Sequence, residues 1–281
     1  LDEVVSYFDK TGNAETDDSI KIAIVGKPNA GKSSLCNKLL GFDRTIVSDI
    51  AGTTRDAIDT LFEVNGKKYT LIDTAGIRKK KSVEEDLEYY SVLRALGAIR
   101  RADVCVMMID AEQGVTEQDV KILGYIHEQC KPSVVVMNKW DLIEKDSNTI
   151  NKFNADLAEA LKFMDYFIPI YVSAKTGQRV DKILSVCETA IANSERRIPT
   201  GQLNDLILDC VRANEPPSYN GKRLKISYAT QVGTRPPSFV FFVNDASLLH
   251  FSYKRYLENC LRRAYDFTGT PIKIGVREKE E

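Results

Sequence analysis

Short apolar runs alternate with stretches of helical periodicity over residues 20–193. Each run is strand-length and ends in polar or glycine-containing sequence, which is typical of strands buried in a sheet. The runs are Ile20–Val25, Tyr69–Asp73, Val104–Asp110, Ser133–Asn138 and Ile168–Ser173. Amphipathic stretches lie between them, near residues 31–41, 85–101, 116–130, 148–163 and 179–193. This alternation predicts an α/β domain with a mainly parallel sheet.

One connection departs from the alternation. Asn65-Gly66 separates Ile58–Val64 from Lys67–Asp73. This dipeptide favours a two-residue type I′ turn, which joins antiparallel strands. We therefore expect a mixed sheet with one antiparallel strand at its edge.

The periodicity breaks near Arg196–Gly201, and a domain boundary is predicted there. The elements predicted beyond it are the helix Gln202–Ala213, the strands Arg223–Ala229 and Phe239–Asn244, the helix Ser252–Phe267 and the strand Ile272–Arg277. This order predicts a small α+β domain with helices on one face of a sheet. The predicted units are a linker over residues 1–19, an α/β domain over 20–195 and the small domain over 196–281.

Composition narrows the class of protein. The chain has 281 residues, of which 43% are hydrophobic and 28% charged, a mix typical of folded soluble proteins. No apolar run approaches the ~20 residues of a membrane helix, so no membrane partner is expected. The first residues show no secretory signal pattern, so we expect a cytoplasmic protein. No DNA partner is expected. The six cysteines form no C-x-x-C pair, so a zinc site is not expected. Cys105 lies inside an apolar run and is expected to be a small buried hydrophobe.

The charge is unevenly distributed. Residues 212–277 hold 11 lysines and arginines against 4 acids, in a chain whose net charge is −1. A basic segment behind an acidic body suggests an anionic partner, and an ordinary solvated face explains the charge equally well.

The sharpest motif is Gly26-Lys-Pro-Asn-Ala-Gly-Lys-Ser33, which matches G-x-x-x-x-G-K-[ST] between a predicted strand and helix. Its glycines let the backbone N–H groups face phosphates. Lys32 is expected to reach the β- and γ-phosphates, and Ser33 to ligate Mg²⁺. The predicted phosphate-binding residues are Gly26, Lys27, Pro28, Asn29, Ala30, Gly31, Lys32, Ser33 and Ser34.

Further motifs follow the ends of later strands. Asp73-Thr-Ala-Gly76 offers a carboxylate for Mg²⁺ and, at Gly76, an amide for the γ-phosphate. In Asn138-Lys-Trp-Asp141, the Asp141 carboxylate can accept two hydrogen bonds from guanine, which adenine cannot donate. An unpaired buried polar group costs about 1–3 kcal/mol, so this residue selects guanine. In Ser173-Ala-Lys175, the Ala174 amide is placed to donate to guanine O6.

These motifs, each past the carboxyl end of a predicted strand, resemble those of TRAFAC-class GTPases. The resemblance implies GTP or GDP as ligand, with Lys32, Thr54, Asp73 and Gly76 as catalytic residues. It implies that Asn138 and Asp141 read the base, that Lys139 packs on its ring, and that residues 173–175 close the pocket. The nucleotide-binding set then also includes Thr74, Ala75, Ile77 and Trp140, with Ser173, Ala174 and Lys175.

Gly52-Thr-Thr-Arg-Asp56, with Pro28-Asn29, resembles the TrmE–Era–EngA group. The resemblance implies Thr54 as a third Mg²⁺ ligand beside Ser33 and Asp73. It also implies a potassium ion, which could neutralise charge that develops between the β- and γ-phosphates. The implied potassium ligands are Asn29, the carbonyls of Ser48 and Ile50, and Thr53. Asn29 can also be read as a plain turn residue.

Ile77 follows the Asp73–Gly76 motif, where Ras-type proteins carry a water-orienting glutamine. Isoleucine cannot hydrogen-bond to water, so slow intrinsic hydrolysis is expected, as in a switch. The sequence does not identify another group that orients the water.

Residues 78–96 resemble switch II and its helix in the second G domain of the Der (EngA) family, bacterial tandem GTPases of ribosome assembly. The resemblance continues to residue 279 and implies a C-terminal KH-like domain. It implies the 50S subunit or its rRNA as partner, and an upstream G domain that is absent here. Arg78–Lys81 then contacts RNA or forms a solvated basic loop.

The small domain has no G-x-x-G, the loop with which KH domains clamp an RNA backbone. Phosphate contacts are still expected from some of Lys222, Arg223, Lys225, Arg235, Lys254, Arg255, Arg262 and Arg263. Core positions are expected for Phe239, Phe241, Tyr253, Tyr256, Tyr265 and Phe267.

Three functions stay open: a GTPase switch in 50S assembly, an RNA- or ribosome-docking module gated by nucleotide, and an Era-like or TrmE-like GTPase. An Era-like chain should carry G-x-x-G, and a TrmE-like chain should lack the KH-like unit.

Overall fold

The computed structural model describes residues 18–41, 48–51, 58–74, 86–219 and 221–278. The predicted linker falls almost wholly outside this range. Thr53, Thr54, Ala75, Gly76, Ile77 and Arg78–Lys81 also lie outside the described residues, so their roles stay predictions.

A seven-stranded sheet forms the larger unit, in the order β2-β3-β4-β1-β5-β6-β7. The strands are β1 (Ile20–Val25), β2 (Ser48–Ala51), β3 (Ile58–Val64), β4 (Lys67–Leu71), β5 (Val104–Asp110), β6 (Ser133–Asn138) and β7 (Ile168–Tyr171). The helices that cover it are α1 (Lys32–Leu40), α2 (Asp86–Arg101), α3 (Glu117–Glu128), α4 (Thr149–Ala160) and α5 (Asp181–Glu195). The predicted α/β alternation is confirmed.

Both faces of the central strands are covered. Every residue of β5 and β6 is buried, as expected of parallel strands between two helical layers. One face packs with Leu35 and Cys187 from α1 and α5, and the other with Leu123 and Leu157 from α3 and α4. Only the ends of these strands are left for a ligand.

The Asn65-Gly66 turn has the backbone that the sequence predicts. Both residues have positive φ, 53° and 78°, as a type I′ turn requires. β3 is antiparallel to β4, but it is not the edge strand as we expected, because β2 pairs with its outer side. The short run Ser48–Ala51 carries no clear strand pattern, so the sequence does not reveal this outer partner.

The smaller unit has the predicted α-β-β-α-β order. It contains α6 (Thr200–Ala213), β10 (Ile226–Gly233), β11 (Ser238–Val243), α7 (Phe251–Ala264) and β12 (Lys273–Glu278), with a short hairpin of β8 (Ser218–Tyr219) and β9 (Lys222–Arg223). β10 pairs antiparallel and β12 parallel with β11. Both helices pack on one face of this sheet around Leu203, Leu257, Phe239 and Phe241.

Backbone hydrogen bonds join the two units around Gly269. Its N–H donates to the Tyr166 carbonyl (2.6 Å), and its carbonyl accepts from the Ser133 N–H (2.8 Å). Gly269 has φ +79°, and a Cβ there would lie 2.7 Å from the Ala190 Cβ, so only glycine fits this close approach.

Five of the six cysteines are buried free thiols, and Cys130 is half-buried. Cys105 is among the buried ones, as predicted. Within the described ranges, no helix is both long and apolar enough to cross a bilayer.

Candidate nucleotide-binding site

The loop between β1 and α1 depends on two glycines. Gly26 has φ +145°, and a Cβ there would lie 2.4 Å from the Met108 carbonyl oxygen. Gly31 has φ +99°, and its Cβ would lie 2.1 Å from Asn138 Nδ2. Gly31 is the N-cap of α1 and has no side chain to cap it, so the first-turn N–H groups are left for an anion.

Lys32 lies across this loop. Its Nζ donates to the carbonyls of Gly26 and Lys27, both at 2.7 Å. Burial lowers the pKa of Lys32 to about 8, and the charge of Asp119 acts in the opposite direction. The ammonium is therefore held at the loop where a phosphate chain is expected.

The predicted magnesium ligands that the structure describes are Ser33 and Asp73. Ser33 is exposed in the first turn of α1. Asp73 follows β4 and has φ 56°, and its backbone N–H donates a hydrogen bond to Asp59 Oδ1 (3.0 Å). Hydroxyl and carboxylate oxygens are the ligands that Mg²⁺ prefers, so the donor set fits this ion.

The predicted potassium ligands are only partly described. Asn29 has φ 62° in the phosphate loop, and Ser48 and Ile50 lie on β2. The potassium site therefore stays a prediction.

Thr74 has a buried side chain, and its hydroxyl lies 2.8 Å from the Thr60 hydroxyl. Its role toward the nucleotide stays a prediction.

Asn138 links the phosphate side of the site to the base side. Its Nδ2 donates to the Ala30 carbonyl (2.8 Å), and its Oδ1 accepts from the Ala174 N–H (2.9 Å). The side chain is buried, so these contacts are shielded from water. The Ala174 amide, predicted to face guanine O6, thus donates to Asn138 in this structure.

Two charged residues on the base side, Lys139 and Asp141, have hydrogen bonds that favour their ionised forms. A hydrogen bond to Asp110 raises the pKa of Lys139, whose Nζ lies 2.5 Å from Asp110 Oδ2. A hydrogen bond from Ser173 lowers the pKa of the Asp141 carboxyl, and the nearby Lys175 acts in the same direction. Asp141 is therefore ionised at neutral pH and can accept two hydrogen bonds.

Trp140 is a core residue, and its place in the nucleotide-binding set stays a prediction. Only 2% of it is exposed, and its ring centroid lies 4.4 Å from that of Tyr171 and 5.1 Å from that of Phe153. Its backbone N–H donates to the Val172 carbonyl (3.0 Å). Trp140 therefore anchors the segment that carries Lys139 and Asp141.

Two acids of the site were missed by the sequence analysis. Asp110 lies at the end of β5 and binds Lys139, and Asp119 lies in the first turn of α3, 3.5 Å from Lys27 Nζ. Thr116 with Asp119 three residues later is a capping-box spacing, so the helix start was recognisable. Nothing local indicates that Asp119 faces the phosphate loop.

The smaller sheet leaves one face open. Tyr228 and Phe242 pair across β10 and β11 on this face, with ring centroids 4.2 Å apart and planes 11° apart. Arg277 on β12 pairs with Phe242, and Lys273 lies further along that strand. The sequence analysis missed both rings, although their alternation with the buried Ala229 and Phe241 was a usable signal.

The aromatics predicted to be core have that place. Phe239, Phe241, Tyr253 and Phe267 are buried. Tyr256 and Tyr265 are half-buried against the same core.

Several predicted phosphate-contacting cations are engaged within the protein. Arg262 donates to Glu258 and to the Thr270 carbonyl, Arg235 pairs with Glu195, and Arg223 pairs with Glu215.

Two family models match the chain. The "50S ribosome-binding GTPase" model covers residues 21–139, and the model "KH-domain-like of EngA bacterial GTPase enzymes, C-terminal" covers residues 197–277. The "GTPase Der" proteins of Clostridium perfringens and Desulfitobacterium hafniense are each 56% identical over the whole chain. The chain spans 64% of the length of these relatives. Among solved structures, Aquifex aeolicus Era is similar over 92% of each chain, with 24% identity and a TM-score of 0.46.

The two models lie on the two structural units described above, one on the seven-stranded sheet and the other on the smaller domain. The C-terminal match is to a domain that is described as that of EngA, which separates this chain from the Era-like and TrmE-like alternatives. The chain therefore belongs to the Der (EngA) family of GTPases, with a P-loop GTPase fold followed by a KH-like domain.

Proposed function

We propose that this chain binds GTP, hydrolyses it with Mg²⁺, and acts as a switch in assembly of the 50S ribosomal subunit. The arrangement around Asn138 carries the proposal, because one buried side chain fastens the phosphate loop to the loop beside Asp141. The proposed phosphate loop and the proposed guanine acceptor, Asp141, would thereby be held together at the edge of the sheet formed by the carboxyl ends of its strands. Ligands of open α/β sheets bind at this edge.

Different groups of the protein would bind the phosphates, the Mg²⁺ ion and the guanine base. The N–H groups of the phosphate loop and of the first turn of α1 would bind the phosphate oxygens, with Lys32 beside the β- and γ-phosphates. Ser33 and Asp73, with Thr54, would hold Mg²⁺, which supplies positive charge against the charge that develops on the phosphates. Asp141 would accept the guanine N1–H and 2-amino protons.

Hydrolysis is proposed to be slow and stimulated by potassium. Ile77 offers no group that could orient water. A monovalent cation held by Asn29, Thr53 and the β2 carbonyls would supply charge during transfer. Turnover in potassium and in sodium buffers tests this point: equal rates would argue against a potassium site.

The C-terminal domain is proposed to dock on ribosomal RNA through its open sheet face. The outward positions of this face are Tyr228, Thr230, Val232, Ser238, Val240, Phe242, Lys273, Gly275 and Arg277. They include two cations, a stacked aromatic pair and no acid, which suits a polyanion with stackable bases. Tyr228 is on β10, at the edge of the sheet, so a base could add to the stack there.

Co-sedimentation of the whole chain with 50S subunits tests the switch. We expect more protein in the pellet with a non-hydrolysable GTP analogue than with GDP. Equal pelleting in both would contradict a nucleotide-controlled switch, and no pelleting in either would contradict docking by this chain.

The docking face has its own test. Replacing Tyr228 and Phe242 by alanine should weaken RNA binding about tenfold or more, because base stacking on an aromatic ring contributes about 1–3 kcal/mol per base. Phe251→Ala is the matched control, since Phe251 is 73% exposed but lies at the start of α7, away from this face. Equal losses in both variants would contradict the assigned surface.

A further inference from the structure

Two buried polar atoms without hydrogen-bond partners lie next to the phosphate loop. Among the described residues, the buried side-chain nitrogen and oxygen atoms without a partner are Lys27 Nζ, Asp119 Oδ1 and Ser133 Oγ. Lys27 Nζ and the other Asp119 oxygen, Oδ2, are 3.5 Å apart. The two side chains are 8% and 0% exposed, so this is an ion pair almost without solvent.

The carboxylate of this pair is fixed in place. Asp119 Oδ2 accepts the Thr116 N–H at 3.0 Å and the Thr116 hydroxyl at 2.6 Å, which forms the cap of α3. The start of a helix also favours negative charge. Asp119 is therefore a rigid charge, whereas Lys27 belongs to a loop whose shape depends on glycines.

The lysine of the pair connects to the catalytic lysine through the backbone. The Lys27 carbonyl accepts a hydrogen bond from Lys32 Nζ at 2.7 Å. A displacement of Lys27 would therefore move the group that orients Lys32.

The strand-to-helix segment that carries Asp119 also touches the base side. Asp110, at the other end of this segment, binds Lys139 at 2.5 Å. One segment, residues 110–119, thus contacts both sides of the site. Its Asp119 pairs with Lys27 of the phosphate loop, and its Asp110 pairs with Lys139 of the base pocket. Both acids are buried.

We propose that Asp119 is a positioning residue for nucleotide binding: it holds Lys27, fixes the phosphate loop against α3 and so orients Lys32 toward the phosphates. Asp119 does not itself contact the nucleotide. The inference rests on the proposed GTP site and names a residue that acts through that site.

The charges of the pair depend on one another. Removing one partner leaves a buried charge without compensation, whereas removing both leaves none, so the effects of the two changes should not multiply.

The experiment measures GDP and GMP affinity of the whole chain in wild type and in Asp119→Asn, Lys27→Met, the double variant and Lys27→Arg. We expect each single removal of charge to weaken GDP binding about tenfold and GMP binding much less, because the loop holds the β-phosphate. The double variant should bind GDP at least as tightly as the single variant with the lower GDP affinity. Lys27→Arg should stay within about threefold of wild type, since it keeps the charge.

Asp181→Asn is the matched control, because it also removes an acid from the first turn of a helix, α5, but lies outside this pair. It should leave both affinities unchanged. Thermal unfolding of each variant separates lost folding from lost positioning.

The inference would be overturned if GDP and GMP affinities fell equally, if the double variant lost the product of the single effects, or if the single variants bound GDP like wild type. Failure of the wild-type chain to bind GDP would instead contradict the proposed function itself.

Discussion

The two sheets of this protein leave different surfaces to a ligand. The seven-stranded sheet is covered by helices on both faces, so its candidate chemistry lies at the carboxyl ends of β1, β4, β5, β6 and β7. The three-stranded sheet has helices on one face only, and its candidate binding residues stand on the other face. A sheet covered by helices on both faces can therefore bind a ligand only at the ends of its strands, whereas a sheet covered on one face can bind a ligand on the other face.

The two regions also differ in how the backbone is used. Asn29, Asp73 and Lys139 all have positive φ, and each lies in a loop that follows a strand of the larger sheet. Such conformations cost free energy in residues other than glycine and cluster at functional sites. The open face of the smaller sheet is formed by strand residues, although β10 has register shifts between Ile226 and Tyr228 and between Gln231 and Gly233.

The largest loss of nucleotide binding at the candidate site on the seven-stranded sheet is expected from Gly31→Ala. Strain at φ +99° costs about 1–3 kcal/mol, which corresponds to about 5- to 150-fold in affinity. The contact of the new Cβ with Asn138 Nδ2, at 2.1 Å, adds to this. We expect GDP binding to fall about 100-fold or more in a fluorescent-nucleotide titration.

The control for this change is Gly124→Ala, in the middle of α3 with open space around it. Alanine favours the helix by about 0.5–1 kcal/mol, so stability should rise and GDP affinity should not change. Normal GDP binding by Gly31→Ala would show that the loop does not form the site.

The two faces of the smaller sheet can be compared with one pair of variants. Phe239 lies on the helix-covered face with 1% exposure, so Phe239→Ala should cost about 3–5 kcal/mol in the free energy of unfolding. Phe242→Ala removes only a cross-strand pair on the open face and should cost about 1 kcal/mol or less. Denaturant unfolding measures both, and equal losses would mean that both faces are packed.

The smallest expected effect lies at the junction of the two units, at His127. Burial lowers the pKa of His127, whose Nδ1 lies 2.8 Å from the Tyr166 hydroxyl; Glu258, Glu128 and Asp165 oppose the shift and Arg262 supports it. A histidine with a lowered folded-state pKa stabilises the fold above its unfolded pKa of about 6.5, and this contribution is lost as the pH falls.

We therefore expect the unfolding free energy to fall less between pH 7.5 and 5.5 in His127→Gln than in wild type. His250→Gln serves as the control, because the exposed His250 is the only other histidine. A slope unchanged by His127→Gln would contradict this role.

The sequence predicts what depends on local signals. Gly26–Ser33 and Asn65-Gly66 each combine glycine with neighbours that restrict the turn, and both have the expected backbone. Alternation of strands and helices is likewise local, so the order of the longer elements in both units follows from it, whereas the short strands β2, β8 and β9 were not predicted.

Tertiary contacts account for the rest. Trp140 lies within a motif predicted to bind the nucleotide, yet its ring packs in the core against Tyr171 and Phe153, which are distant in the sequence. Asp119 reads as a helix cap, and only the folded structure brings it to Lys27. The edge position of β2 and the Tyr228–Phe242 stack also depend on which strands become neighbours.

The most direct test of the account is the nucleotide specificity of Asp141→Asn. Competition of GDP and XDP for a fluorescent nucleotide should show preference for GDP in wild type and a reversal in the variant, because the amide replaces one acceptor oxygen with a donor. Glu144→Gln, a nearby exposed acid, should keep the wild-type order. Unchanged guanine preference in Asp141→Asn would contradict the assignment of this edge of the sheet as a guanine-nucleotide site.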